Sequence, residues 1–276
     1  MDLALGPHRY DVSARALVMG ILNRTPDSFY DRGAFWDLDA FYRRAAELVD
    51  AGADVLDVGG VKAGPGPEVG EVEELDRVVP VVAALHERFD VPLSVDTWRS
   101  SVARASFAAG AVLGNDISGF ADPDYLPAAA EAGASVVATH IRLRPRVADP
   151  EPVYENGVVP AVRAALAGLT ARALAAGLAP EAVIVDAGLD LGKTWLQSVE
   201  LLRASDELAG LGHPLFLSAS NKTFLGTLLD LDVGDRRLAS HAAHALGVAR
   251  GCRVLRAHDV RGARRVVDVM AALLAA

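Results

Sequence analysis

The sequence is poor in cysteine and carries less positive than negative charge. A single cysteine, Cys252, occurs among 276 residues, which excludes a disulfide framework and a thiolate metal cluster. Lysine and arginine together number 27 against 36 aspartates and glutamates, giving a formal net charge of −9. Because no basic stripe offsets this balance, we expect no nucleic-acid partner.

Aromatic residues and long apolar runs are also scarce. Aromatics make up 6% of the chain although apolar residues reach 51%, so a core has to be built mainly from Ala, Val and Leu. Parallel strands covered by Ala-rich helices suit that composition better than an antiparallel sandwich. No uninterrupted apolar run has membrane-spanning length, and the N-terminal segment lacks the basic flank and apolar stretch of a signal peptide. We therefore expect a soluble cytoplasmic protein that does not bind a membrane.

Short apolar, β-branched segments alternate with Ala- and Leu-rich helical patterns along the whole chain. Such segments are typical of buried parallel strands. The predicted strands lie at residues 17–22, 55–58, 93–95, 112–113, 136–138, 183–185, 215–217 and 254–255. About eight repeats of strand and helix predict one (β/α)8 TIM barrel over residues 1–276, with no linker and no second domain. A doubly wound open sheet is the alternative.

Polar residues lie at the end of nearly every predicted strand or just after it. They are Asn23, Asp57, Asp96, Asn115, Asp116, His140, Asp186, Ser220, Lys222, Arg256 and His258. The carboxyl ends of barrel strands converge at one mouth, where the active sites of this fold are assembled. Helix capping or turn formation could explain any single Asp or Asn. Capping does not call for Lys, Arg and His in the same ring, so the whole set indicates a binding site.

The chemistry of this ring points to a class of ligand. Asp96 and Asp186 together with the amide of Asn115 can recognise the donor and acceptor groups along the edge of a flat heterocycle. Lys222, Arg256 and His258 supply positive charge where a phosphate could bind. The residues therefore predict a heterocyclic ligand that carries a phosphate or a diphosphate.

The segment GLDLGKT at residues 188–194 is similar to a phosphate-binding P-loop, but the match is incomplete. That motif needs a glycine where Ala187 stands, and Asp190 would direct a negative charge at the phosphates. We expect no nucleotide P-loop here, and we expect Lys193 to lie in the first turn of a helix.

Several ordered segments make the sequence resemble the dihydropteroate synthase family. They are MGILNRTPDSF, DVGG, SVDTW, GNDISG, IVDAG, LGKT, SNKTFLG and RAHDV. The resemblance covers most of the chain and implies a transferase of folate biosynthesis. Members of this family join 4-aminobenzoate to a 7,8-dihydropterin-6-ylmethyl diphosphate and release pyrophosphate, usually with Mg2+. The resemblance also implies a homodimer formed through the final helix and its neighbour.

The resemblance assigns roles to the residues at the predicted mouth. By their place in the family motifs, the pterin would be bound by Asp96, Asn115, Asp186 and Lys222. Of these, Lys222, Asp96 and Asp186 would take part in catalysis. The diphosphate would be bound by Asn23, Arg256 and His258, and Asn23 would also be a ligand of the metal.

The sequence departs from the family pattern where the second substrate should bind. The usual Gly-Gly-Glu-Ser-Thr-Arg-Pro is Gly-Gly-Val-Lys-Ala-Gly-Pro at residues 59–65, so Val61 and Gly64 replace Glu and Arg. Asn221 replaces the Arg of a Ser-Arg-Lys segment, while Asp190 and Leu191 replace a Gly and a Phe. These losses are typical of a paralogue with weak, altered or absent synthase activity. Arg24 and Lys62 support a second interpretation, in which the missing charges have moved.

Four functions therefore remain to be compared. The first is an active synthase, and the second is a pterin-binding paralogue that acts as a partner protein or uses another acceptor. The third, a folate-binding methyltransferase barrel, should lack both the TPDSF loop and the Ser-x-Lys segment, which this chain has. The fourth, a generic sugar-phosphate barrel, leaves Asp96 and Asp186 unexplained, since anion sites disfavour buried carboxylates.

Overall fold

The alternation of strands and helices closes into a parallel barrel. The structure is a computed structural model that describes residues 1–24, 38–64 and 66–275. Its strands are β1 (Asp2–Leu5), β2 (His8–Asp11), β3 (Leu17–Asn23), β4 (Val55–Gly59), β5 (Leu93–Asp96), β6 (Leu113–Asp116), β7 (Ser135–Thr139), β8 (Val183–Asp186), β9 (Leu215–Leu217) and β10 (Cys252–Ala257). Strands β3 to β10 pair in sequence order, and β10 pairs with β3 to complete the ring. The predicted (β/α)8 barrel is confirmed, and the open-sheet alternative is excluded.

Helices surround the barrel and connect its strands. They are α1 (Leu38–Asp50), α2 (Glu71–Arg88), α3 (Ser100–Ala108), α4 (Tyr125–Glu131), α5 (Val158–Ala175), α6 (Trp195–Arg203), α7 (Ser205–Ala209), α8 (Thr223–Leu229), α9 (Arg237–Ala249) and α10 (Val260–Ala275). Within the described ranges, α5 alone has the length and apolar composition of a membrane span. It packs against β7 and β8 and buries Val162, Leu166 and Ala173, as an outer helix of a barrel does.

An antiparallel hairpin, β1 with β2, covers the end of the barrel where the strands begin, and the sequence did not predict it. Leu3 and Leu5 are buried in the cluster that also contains Leu17 and Met19 of β3. The Ser135 hydroxyl at the start of β7 donates a hydrogen bond of 2.7 Å to the Ala4 carbonyl. Because this end is closed, the opposite end, where the strands finish, is the one left for a ligand.

Candidate functional site

The side chains predicted to hold the pterin lie at the carboxyl ends of four barrel strands, two on each side of β7. Asp96 ends β5, Asn115 lies in β6, Asp186 ends β8, and Lys222 lies in the connection between β9 and α8. Asn115 is 3% exposed and Asp186 is 5% exposed, so their polar groups lie inside the mouth. The predicted β6 was too short: Asn115 lies within the strand and does not follow it.

Asp57 of β4 organises one side of this mouth. Its fully buried carboxylate accepts hydrogen bonds from the Ser94 hydroxyl at 2.6 Å, the Asn115 amide at 3.2 Å and the Arg256 Nε at 2.6 Å. A buried carboxylate is tolerated when its oxygens are paired in this way. Asp57 therefore fixes the orientation of Asn115 and Arg256. The sequence feature that could have identified this role is a charged residue in the middle of an apolar strand.

Asp96 lies beside this network with 12% of its side chain exposed. Its Oδ2 accepts a hydrogen bond of 2.8 Å from the Arg256 Nη2. Burial raises the pKa of Asp96; Arg256 opposes the shift, and the charge of Asp57 adds to it. The carboxylate can accept from a ring N–H of a heterocycle, and a raised pKa favours the protonated form, which can donate to a ring nitrogen.

Asp186 and Lys222 form the other side of the mouth. The Asp186 Oδ1 accepts a hydrogen bond of 2.9 Å from the Gly188 amide, and burial raises the pKa of this carboxyl. Burial lowers the pKa of the Lys222 ammonium, although Asp190 and Asp186 oppose that shift. The Lys222 Nζ donates a hydrogen bond of 2.7 Å to the Leu189 carbonyl. Asp186 thus offers an acceptor and Lys222 a donor to the edge of a bound heterocycle.

Lys193 does not lie in the first turn of a helix, so that expectation was wrong. It comes before α6, which begins at Trp195 with Thr194 as its N-cap. The Lys193 Nζ is 2.9 Å from the His140 Nδ1 and donates to the Gly188 and Leu191 carbonyls at 2.8 and 2.9 Å. Burial lowers the pKa of Lys193 to about 7. Lys193 therefore holds the connection that follows Asp186 and leads from β8 to α6, and its Nζ is engaged by protein groups.

The residues predicted to hold the diphosphate also reach the mouth. Asn23 ends β3, and Gly59 beside it has no side chain; a Cβ at that position would lie 3.1 Å from the Asn23 Oδ1 and 3.6 Å from the Asp96 Oδ2. The Nδ1 of His258, just after β10, is 3.0 Å from the Ser220 Oγ. The guanidinium of Arg256 points at the two carboxylates Asp57 and Asp96.

The described residues of the loop after β4 offer no hydroxyl or guanidinium to a second substrate. Val61 is buried, and the next three residues are exposed. Among the described residues other than Gly64 and its chain neighbours, no atom lies within 4 Å of the position that a Cβ on Gly64 would occupy. Arg24 donates a hydrogen bond of 2.7 Å to the Arg77 carbonyl on α2. The TPDSF segment and Pro65 lie outside the described residues.

The carboxylate of Asp190, whose charge argued against a P-loop in the sequence, points at the start of α8. Its backbone has φ +66, the left-handed region that a glycine at this place would adopt freely. Its carboxylate accepts hydrogen bonds from the first two backbone amides of α8, those of Thr223 at 2.7 Å and Phe224 at 3.3 Å. Asp190 thus caps α8 and adds a fixed negative charge near Lys222.

Known proteins with similar sequences and folds fall in one group. The model of a family described as pterin binding enzyme matches residues 19–258. The chain is 44% identical over 266 residues to the inactive dihydropteroate synthase 2 of Mycobacterium leprae, covering 94% of this chain and 91% of that protein. It is 37% identical over 270 residues to the dihydropteroate synthase of Bacillus subtilis, covering 97% and 92%. The Yersinia pestis dihydropteroate synthase solved as a sulfonamide drug complex matches with a TM-score of 0.93 and 37% identity, covering 100% of both chains.

Proposed function

The chain belongs to the pterin-binding enzyme family, and we infer that this dihydropteroate synthase-like protein binds a dihydropterin diphosphate but condenses it with 4-aminobenzoate weakly or not at all. The observation that carries this inference is the difference between the two halves of the mouth. The residues that would hold the pterin are buried or nearly so at the mouth, whereas the described part of the loop after β4 lacks the hydroxyl and guanidinium groups that the family has there.

The pterin half has the groups that a pyrimidinone edge requires. Asp96, Asn115 and Asp186 provide acceptors and an amide donor, and Lys222 provides a cation close to Asp186. Asp57 holds Asn115 in place through a hydrogen bond of 3.2 Å. Buried polar groups held in this way lose little entropy on binding and leave unpaired donors when the wrong ring enters.

The reaction depends on the departure of pyrophosphate. Negative charge develops on the leaving oxygen as the C–O bond breaks, and fixed cations stabilise that charge. The pterin ring then supports the cationic carbon, so the aminobenzoate nitrogen attacks without a strong base. Arg256 and His258 would serve the diphosphate. An arginine at position 64 would be expected to add to them, but this chain has glycine there.

Mg2+ is part of the proposal because the donor set is compatible with it. Mg2+ is held by oxygen ligands, keeps several waters, and often needs only one or two protein groups besides substrate phosphates. Asn23 supplies one amide oxygen, and no group of three or more His, Cys, Asp or Glu side chains in the described ranges could hold a metal alone. When bound with the diphosphate, Mg2+ would neutralise part of the charge of the leaving pyrophosphate.

Two features of the acceptor half disfavour 4-aminobenzoate, which is an anion. The loop after β4 presents Ala63 and Gly64 where the family has a hydroxyl and a guanidinium. Asp190 places a carboxylate at the start of α8, close to Lys222. The name of the Mycobacterium leprae relative, inactive dihydropteroate synthase 2, supports the same proposal. A partner function, or another acceptor, is the alternative use of the retained pterin site.

A paired assay on one preparation tests this proposal. We expect calorimetry to detect binding of dihydropterin diphosphate in the presence of Mg2+, with a dissociation constant in the micromolar range. Pyrophosphate release that depends on 4-aminobenzoate should be at least about a hundredfold slower than that of the Bacillus subtilis synthase assayed alongside, because oxyanion-type stabilisation is worth that much. Equal rates would show an active synthase and favour the interpretation in which the missing charges have moved to Arg24 and Lys62. An absence of pterin binding would overturn the proposal.

The proposal includes a cytoplasmic homodimer formed through α9 and α10. These helices pack against each other. They expose the apolar side chains of Leu238, Leu246, Val269, Leu273 and Leu274. An exposed apolar surface of this kind is typical of a subunit interface.

Light scattering after size exclusion tests the dimer. We expect twice the chain mass for the wild type and the mass of one chain for Leu273→Glu, because a buried, unpaired carboxylate opposes association. Val72→Glu, at an exposed position on α2, is the matched control and should remain dimeric. A monomeric wild type would contradict this part of the proposal.

A further inference from the structure

Arg256 connects the two parts of the proposed ligand site. Its Nε donates to the Asp57 Oδ2 at 2.6 Å, and its Nη2 donates to the Asp96 Oδ2 at 2.8 Å. The side chain is 16% exposed, so the ion pairs lie inside the mouth. Asp96 belongs to the pterin set and Arg256 to the diphosphate set. A guanidinium of the diphosphate set is therefore hydrogen-bonded to a carboxylate of the pterin set.

We propose that Arg256 determines specificity by making Asp96 available to a pterin only when a diphosphate draws the guanidinium away. This inference rests on the proposed pterin and diphosphate site, and it adds that the site favours a pterin that carries a diphosphate over one that does not. A diphosphate carries more negative charge than one carboxylate and can accept two parallel N–H bonds from a guanidinium. A pterin without a diphosphate has to compete with Arg256 for Asp96.

The surroundings of the two carboxylates make this exchange asymmetric. When Arg256 leaves, Asp57 still accepts hydrogen bonds from Ser94 at 2.6 Å and Asn115 at 3.2 Å. For Asp96, Arg256 provides the one side-chain hydrogen bond found in the described part of the chain. When the guanidinium leaves, the Asp96 carboxylate loses this donor, so a hydrogen bond from a ring N–H, or protonation, becomes strongly favourable. Arg256 also opposes the rise in the pKa of Asp96, so its departure raises that pKa further.

Positive cooperativity between pyrophosphate and pterin follows from this arrangement. Pyrophosphate alone should shift Arg256 away from Asp96 and so strengthen the binding of a pterin alcohol that has no phosphate. Linkage requires the pterin alcohol to strengthen pyrophosphate binding by the same factor. We expect a factor of about ten, within the ordinary range of coupling between two sites.

Calorimetry on the full-length wild type tests the coupling in both orders. 6-Hydroxymethyl-7,8-dihydropterin is titrated with and without saturating pyrophosphate and Mg2+, and pyrophosphate is titrated with and without the pterin alcohol. A tenfold gain that is equal in the two orders is the expected result. Pterin affinity that changes by less than twofold overturns this inference and leaves the proposed function standing. No pterin binding under either condition overturns both.

Two variants separate the role of Arg256 from general attraction of the anion. In Arg256→Lys the charge is kept, but the compact ammonium lacks the planar fork through which Nε and Nη2 hold Asp57 and Asp96, so the coupling factor should fall towards one. His258→Gln is the matched control, since His258 contacts Ser220 and not Asp96: pyrophosphate should bind less tightly with the coupling factor unchanged. Equal loss of coupling in both variants would contradict the proposal. A crystal structure with pyrophosphate should show the 2.8 Å contact between Arg256 and Asp96 opened.

Discussion

Replacing Asp186 with asparagine is expected to weaken binding of dihydropterin diphosphate about a hundredfold. The carboxylate is 5% exposed at the end of β8, where it can accept from the ring N–H and the amino group of a pterin. Asparagine offers one acceptor and turns an N–H2 group towards donors of the ligand. The loss of a charge-assisted hydrogen bond with a buried group left unpaired costs ~3 kcal/mol, which is about a hundredfold in affinity. Calorimetry with the diphosphate measures the change.

Asp190→Asn is the matched control for this substitution. It lies in the same connection, but its carboxylate accepts the α8 amides of Thr223 and Phe224, and an asparagine oxygen can replace it there. Asparagine also tolerates the left-handed backbone at this position. Pterin affinity of this variant should stay within about threefold of wild type, the scale of one weakened capping contact. If Asp186→Asn binds the pterin as the wild type does, the pterin pocket has been misplaced.

The barrel could be predicted because the sequence pattern of each strand and helix is local and is repeated along the chain. Each strand is a short apolar segment, and the regular alternation with helices leaves few topologies to consider. The N-terminal hairpin was missed for the opposite reason. Strand β2 reads His-Arg-Tyr-Asp, which has no apolar alternation, and Leu3 and Leu5 become core residues only when the finished barrel presents its open end to them.

In a barrel the strand ends converge at one mouth, and this rule placed the predicted pterin and diphosphate residues there. The rule did not predict which of these side chains form hydrogen bonds with each other. Arg256 is 199 residues from Asp57 and 160 residues from Asp96 along the chain. Such pairs arise from the closure of β10 onto β3 and from side-chain direction, and neither is visible in a linear pattern. The same rule did not distinguish Asp116 from the predicted ligand-binding residues. The Asp116 carboxylate accepts hydrogen bonds from the Ser118 and Phe120 backbone amides and so stabilises a turn.

The departures from the family pattern were visible in the sequence, whereas their structural consequences were not. Asp190 and Asn221 both have positive φ, at +66 and +57. A sequence shows that a charge has replaced a glycine at position 190, but only the folded chain shows that this charge caps α8. Likewise, the Asn221 amide N–H donates to the Ser240 hydroxyl at 3.0 Å, which ties its loop to α9. These contacts fix the loops that carry Asp190 and Asn221 against α8 and α9.

Rebuilding the acceptor half is expected to raise the release of pyrophosphate that depends on 4-aminobenzoate at least a hundredfold above the wild-type rate. The variant combines Lys62→Ser, Ala63→Thr and Gly64→Arg with Asp190→Gly and Leu191→Phe. An arginine can be placed at position 64 because, apart from its chain neighbours, no atom of the described residues lies within 4 Å of its Cβ position. Its guanidinium can hold an anion with two parallel bonds. Glycine suits φ +66 at position 190 and removes a negative charge near Lys222. A donor placed on developing charge contributes about 10²–10³ in rate.

Two controls decide whether the gain comes from the rebuilt half. The same five substitutions combined with Asp186→Asn should give no gain, because the pterin would no longer be held for attack. A version with lysine in place of arginine at position 64 restores the charge without the bidentate geometry, so it should recover only part of the rate. Asn221→Arg is left out because an arginine would be strained at φ +57 and its loop is already bound to Ser240. If the five substitutions leave the rate at the wild-type level while pterin binding persists, the loop after β4 is not the cause of the weak condensation, and the arrangement of α8 and α9 around Asn221 becomes the explanation.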